Sequence, residues 1–292
     1  MAFPLAVVKK FGDDQAGDLA ALIAYYGFFS LFPLLLVLTS LLGFVLAGDP
    51  ELRMRILDSA LAQFPVIGEH LRGNYDSLTG NGVVLGIGTV TALWAGLGVT
   101  QAAQKAMNTV WGIPPEQRPG FLPSRVRGLI MLVVLGSMTV ATIFLTGLGT
   151  ASGELGIALR VLGYVGSLAM NVALFLLAYR ILTVKRLTWG DVLPGAVAGA
   201  VLWTALQLVG TYLVNRQVKN ATPVYGTFAI VIGLLVWIYL GAQLTVLCAE
   251  VNVVRLNRLW PRSLFSRGPQ AVSKPDERDS SKADERDPLT GK

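Results

Sequence analysis

Glu250 and Asn252 are the residues whose position most demands a chemical explanation. They close a stretch in which residues 220–249 contain no Asp, Glu, Lys, Arg or His. An ionised side chain at membrane depth costs about 2.5–3.5 kcal/mol at a helix centre on insertion scales, so such groups face a bundle interior, a wet cavity or a partner charge. A second polar set lies at Gln101, Gln104, Lys105 and Asn108. The spacing i, i+3, i+4, i+7 gives the end of an otherwise apolar helix one polar face. Together the six residues form a candidate polar pocket, with Lys105 the expected ion-pair partner of Glu250. Two readings fit the pattern. In one the pocket handles a solute; in the other the side chains reach the headgroup layer by snorkelling, or lock the helices together.

No residue is assigned a catalytic role. One histidine, His70, and one cysteine, Cys248, leave no Cys-based zinc site, internal disulfide or His-rich centre, so neither metal nor cofactor is expected. Glu69, His70 and Asp76 read as a solvated face. A metal-dependent ribonuclease would need a compact set of acidic or histidine ligands beside the RNA, and the cytoplasmic loops offer none. The net charge of +6 is carried largely by short loops between apolar runs, which points to topology and not to a nucleic-acid partner.

The elements that must position these residues are membrane helices. Hydrophobic residues make up 53% of the 292 positions and charged residues 14%, with a mean hydropathy of +0.58, whereas soluble domains carry about 25% charged residues. Six spans are expected, at about 19–48, 81–104, 128–150, 161–182, 192–215 and 225–250, within a transmembrane domain covering 18–262. The fold class is therefore all-α, a polytopic membrane protein with amphipathic surface helices besides its six spans. Residues 1–17 place Phe3, Val7, Val8 and Phe11 on one stripe with Lys9 and Lys10 off it, the pattern of an interfacial helix. Residues 49–76 repeat Leu52, Ile56, Ala60 and Phe64 as a second amphipathic helix, on the outer surface. Pro33 and Pro194 are expected to kink the first and fifth spans; broken helices can expose backbone to a solute, or serve only as packing devices. The first apolar run is too long for a signal-peptide core, so the N-terminus is expected to be retained. Residues 263–292 mix Arg, Lys, Asp, Glu, Pro and Ser without an apolar face and read as a disordered tail. Lys and Arg favour the loops that follow the second, fourth and sixth spans, which places both termini in the cytoplasm.

Several stretches carry a family resemblance. They are DLAALIAYYGFFSLFPL in the first span, Asn108, Trp111 and Arg118 after the second, WGDVLPGA opening the fifth, and YGTF, WIYLGAQL and CAEVN in the sixth. Across residues 10–256 the chain resembles the YihY/BrkB family of bacterial inner-membrane proteins, formerly often labelled ribonuclease BN. The family usually has glycine before its Ala-Glu pair, where Cys248 stands here. The resemblance implies six spans with both ends in the cytoplasm, and roles in envelope integrity, serum resistance or movement of lipid-like solutes. A transporter or exporter of lipid-like or amphipathic solutes, with membrane lipids as partners, is the leading expectation. The alternative is a membrane scaffold or assembly factor without transport. A continuous wet cavity bounded by the second and sixth spans would favour the first, and a dry, packed bundle the second. The sequence leaves the solute and the oligomeric state open.

Overall fold

The computed structural model describes residues 2–45, 82–150, 156–217 and 226–259. The outer amphipathic helix expected over 49–76, with His70, and the tail at 263–292 lie outside the described residues. The described chain is helical throughout, as apolar segments in lipid must be, since each backbone N–H and C=O there needs an internal partner. Its helices are α1 Ala2–Asp13, α2 Ala16–Val45, α3 Gly82–Val110, α4 Phe121–Thr150, α5 Gly156–Leu182, α6 Trp189–Gln217 and α7 Gly226–Leu256.

The six long helices form a closed ring in chain order. Each packs on the next, α7 returns to α2, and α3 leans inward to touch α5 and α7 as well. Five stretches are long and apolar enough to cross a membrane: Ala16–Leu34, Phe121–Thr139, Val161–Leu182, Trp189–Gly210 and Val231–Leu256. The expected span at 81–104 is α3, not among those five; its 29 residues reach roughly 44 Å at about 1.5 Å per residue. Large apolar side chains such as Val133, Leu162, Tyr164, Leu208 and Ile232 point outward. Such a surface suits acyl chains and would be costly in water.

Small residues and caps set how closely the helices approach. Lipid tails are as apolar as leucine, so packing and hydrogen bonds hold membrane helices together. The core lies toward the end of the ring that carries α1, where Ala106, Met107, Val110, Tyr179, Val192, Ala196, Val246, Ala249 and Val253 are buried. Helix α3 stops in a Schellman turn. Gly112 adopts φ +65°, its N–H donates to the Thr109 carbonyl, and the Ile113 N–H donates to the Asn108 carbonyl. Pro114 and Pro115 then prevent resumption. Helix α7 ends the same way with Arg258 in the left-handed position, Leu259 N–H donating to the Val254 carbonyl and Leu259 packing against Val254. At the start of α6, the Thr188 N–H donates to Asp191 Oδ2 at 2.8 Å, half of a capping box.

Candidate functional site

The buried charge of α7 is met by α1. Glu250 is 0% exposed, and Lys10 Nζ lies 2.9 Å from its Oε2. The same ammonium pairs with Asp14 and donates to the Val110 carbonyl at 2.8 Å. The ammonium thus joins three places, by hydrogen bonds to the α1–α2 turn and the C-terminal end of α3 and by charge alone to α7. The Val110 contact is favourable in its own right, because the last carbonyls of a helix carry partial negative charge. The approach to Oε2 is an ion pair outside good hydrogen-bond directions, and Oε1 has no donor among the described residues.

Placing Lys10 there requires α1 to dock on the bundle. Ala6 and Val7 are buried against Val254, with Phe3 and Leu247 packed around them. The expected stripe is therefore partly corrected. Val7 faces inward with Phe3 and Phe11 partly buried, but Val8 is 61% exposed and Lys10 only 8%. The expected pair of Lys105 with Glu250 is also replaced, since Lys10 occupies that position and Lys105 is exposed on another face of α3.

Asn252 and Asn108 are buried joints between elements. Asn252 Oδ1 accepts from the Gly195 N–H at 2.6 Å. This contact explains why Pro194 is followed by glycine: a Cβ at Gly195 would sit 2.2 Å from the Cys248 carbonyl oxygen and 2.4 Å from Asn252 Nδ2. Pro194 lies inside α6 and has no N–H for the Gly190 carbonyl four residues earlier; Arg255 reaches that carbonyl through a long 3.4 Å contact. Asn108 Oδ1 accepts from the Val184 N–H at 3.0 Å, tying α3 to the α5–α6 connection. Arg118 folds back to donate to the Ile113 carbonyl at 3.1 Å and to Thr109 Oγ1 at 3.2 Å, holding the end of α3.

The polar face of α3 divides between neighbours. Gln104 Nε2 donates to the Ser124 carbonyl at 3.0 Å, and Ser124 Oγ donates back to Gln104 Oε1 at 3.0 Å, a reciprocal joint to α4. Gln101 and Lys105 instead line a groove of about 440 Å³ between α2, α3 and α4, together with Leu22, Tyr26, Trp94, Ala95, Gly98, Ala102 and Arg125. The six predicted pocket residues thus do not share one cavity. Gln101 and Lys105 meet in the groove, Glu250 and Asn252 sit at separate buried contacts, and Gln104 and Asn108 each bind a different neighbour. Pro33 lies within α2, which continues through it.

Lys10, Asp14, Trp94 and Arg125 are the participants that sequence reasoning left out. The i, i+4 spacing of Lys10 and Asp14 was an available sign of a local pair. Arg125 sits between two rings, 5.7 Å from the centroid of Trp94 and 5.0 Å from that of Phe121. The i, i+4 spacing of Phe121 and Arg125 on α4 was an available sign of the second contact, whereas Trp94 comes from another helix.

The loops after α3 and α5, the start of α6 and the end of α7 meet at the α1 end through these bonds, so the basic loops grouped by charge do lie together. Comparison with known proteins gives a consistent answer. The chain is 24% identical over 269 residues to the inner membrane protein YhjD of Escherichia coli, covering 85% of this chain and 79% of that one. It is 25% identical over 260 residues to a UPF0761 membrane protein of Pseudoalteromonas translucida, covering 82% and 84%. A Bacillus subtilis protein named ribonuclease-like, YfkH, is 22% identical over 266 residues, covering 87% and 95%. No solved structure matches the chain. The family model for virulence factor BrkB matches residues 7–269. Nearly the whole chain is covered by that match, and the protein belongs to the virulence factor BrkB family of multi-pass membrane proteins.

Proposed function

We propose that this protein moves lipid-like or amphipathic solutes in the bacterial cytoplasmic membrane, without an enzymatic step, as part of envelope maintenance. The α1 end faces the cytoplasm in this reading, following the bias of Lys and Arg toward its loops. The observation that carries the proposal is the groove between α2, α3 and α4. It is polar at Gln101, Lys105 and Arg125 and flanked by exposed apolar side chains, an arrangement that suits a molecule with a charged head and an oily tail. The interface of α3 with α7, where a wet cavity would have favoured transport, is occupied by the Lys10–Glu250 pair and buried apolar side chains, which speaks for the scaffold reading at that place. A solute would therefore enter from the side.

The test is reconstitution into vesicles carrying a fluorescent lipid whose outer-leaflet label can be quenched. Faster loss of the inner-leaflet label than in protein-free vesicles supports the proposal; equal rates remove it. A scaffold or assembly factor is the second reading, favoured by the buried joints at Asn108, Gln104 and Asn252, which lock helices together. A ribonuclease is disfavoured, because the groove is cationic and aromatic and no acidic metal-binding set occurs among the described residues.

A further inference from the structure

We infer that the groove between α2, α3 and α4 is a binding site for the phosphate-bearing headgroup of an anionic lipid drawn from the surrounding bilayer. The inference rests on the amphiphile reading above and names the class of amphiphile.

Two cations, Lys105 and Arg125, line the groove, and no Asp or Glu does. Two of the lining residues also carry donors, Gln101 Nε2 and Arg125 Nε, that are enclosed by protein and unpartnered among the described residues. Orphaned donors of this kind are costly unless something accepts from them. A ligand that carries negative charge and only accepts hydrogen bonds matches the cationic lining, and a phosphodiester does so; the Gln101 and Arg125 side chains would have to turn toward it to offer their enclosed donors. The Trp94 and Phe121 rings lie within cation–π reach of the Arg125 guanidinium.

The occupant is a lipid and not a soluble anion because of what adjoins the cations. Trp94 is 73% exposed, and Val90 and Ile87 continue its stripe along α3 at helical spacing, both exposed. From Lys105 to Ile87 is 18 residues, about 27 Å of helix rise, so the charged and apolar parts of the groove face occupy different depths. A headgroup at Gln101, Lys105 and Arg125 leaves its acyl chain beside Trp94, Val90 and Ile87. The volume of about 440 Å³ lies in the roughly 300–1,000 Å³ range of ligand pockets.

The experiment uses the purified full chain in phosphatidylcholine nanodiscs, with tryptophan quenching by brominated phosphatidylglycerol compared with brominated phosphatidylcholine. Trp94→Phe isolates the signal of the groove. The wild-type chain should prefer phosphatidylglycerol at Trp94, and Lys105→Gln or Arg125→Gln should each reduce that preference about fivefold, the effect of one basic residue near an anionic headgroup. Lys105 is exposed and makes no ion pair among the described residues, so its substitution tests the site without threatening the fold. Equal quenching by the two lipids, or a preference unchanged in the double variant, overturns the inference. Displacement of the brominated lipid by inorganic phosphate, with no dependence on acyl chain, also overturns it in favour of a soluble anion. A chain that prefers phosphatidylglycerol yet leaves lipid movement in vesicles unaccelerated keeps this site and loses the transport reading; a chain that moves lipids without preference does the reverse.

Discussion

Replacing Lys10 with methionine removes the cation shared by Glu250, Asp14 and the Val110 carbonyl while keeping most of the apolar stem. Glu250 has no exposure to solvent, so its carboxylate loses its charged partner and gains no water. Removing one member of a buried ion pair typically costs about 3–5 kcal/mol, because the other member is left uncompensated. The reverse change, Glu250→Gln, is milder. Lys10 still has Asp14 and the Val110 carbonyl, so the loss is that of a single charged contact, about 1.5–3 kcal/mol. The double variant should be less destabilised than the two singles combined, by about 1 kcal/mol or more. Unfolding of the purified protein in mixed detergent, followed by loss of helical signal, measures all three. Lys105→Met in the same assay should change stability by less than about 0.5 kcal/mol, as expected for an exposed side chain. A neutral Lys10→Met, or coupling of Lys105→Met to Glu250→Gln, would refute the placement of α1.

Three further outcomes follow from close contacts elsewhere. Gly195→Ala drives a methyl group to 2.2 Å from the Cys248 carbonyl oxygen, and overpacking of this kind costs about 1–3 kcal/mol or more, visible as lower yield of folded protein and a lower melting temperature. Asn252→Ala removes the side-chain acceptor of the Gly195 N–H at the same contact and should cost about 0.5–1.5 kcal/mol by the detergent assay. Gln104→Leu or Ser124→Ala alone should destabilise α3 against α4, while the pair together should recover part of the loss; strict additivity would show that the two side chains are not coupled.

The apolar runs made the helices legible, because a stretch without charge that is long enough to cross a bilayer has few alternatives to helix. The candidate site was harder to read. Gln101, Gln104, Lys105 and Asn108 share a face by spacing, yet at about 100° per residue the pair 101/105 is turned roughly 60° from the pair 104/108. In a crowded ring that angle separates an open groove from a packed neighbour, so one ridge serves two surroundings. Lys10 was misplaced for a related reason. The face that docks is centred on Phe3, Ala6 and Val7 and not on Val8, and Lys10, at i+7, i+4 and i+3 from those three, falls on that same face. The docking itself depends on Val254, Leu247 and the end of α3, far away in the chain. The contact of Arg125 with Trp94 likewise joins two helices, and only its i, i+4 contact with Phe121 is written in the periodicity of α4.

The lateral groove is the centre of this account, and photocrosslinking tests it most directly. The full chain would be reconstituted with an anionic phospholipid carrying a photoreactive group on its acyl chain, irradiated, and mapped by mass spectrometry. Adducts should concentrate on α3 around Ile87, Val90 and Trp94, and should fade in Lys105→Gln/Arg125→Gln. Adducts spread evenly over the outward faces of α5, α6 and α7, unchanged by those substitutions, would contradict it.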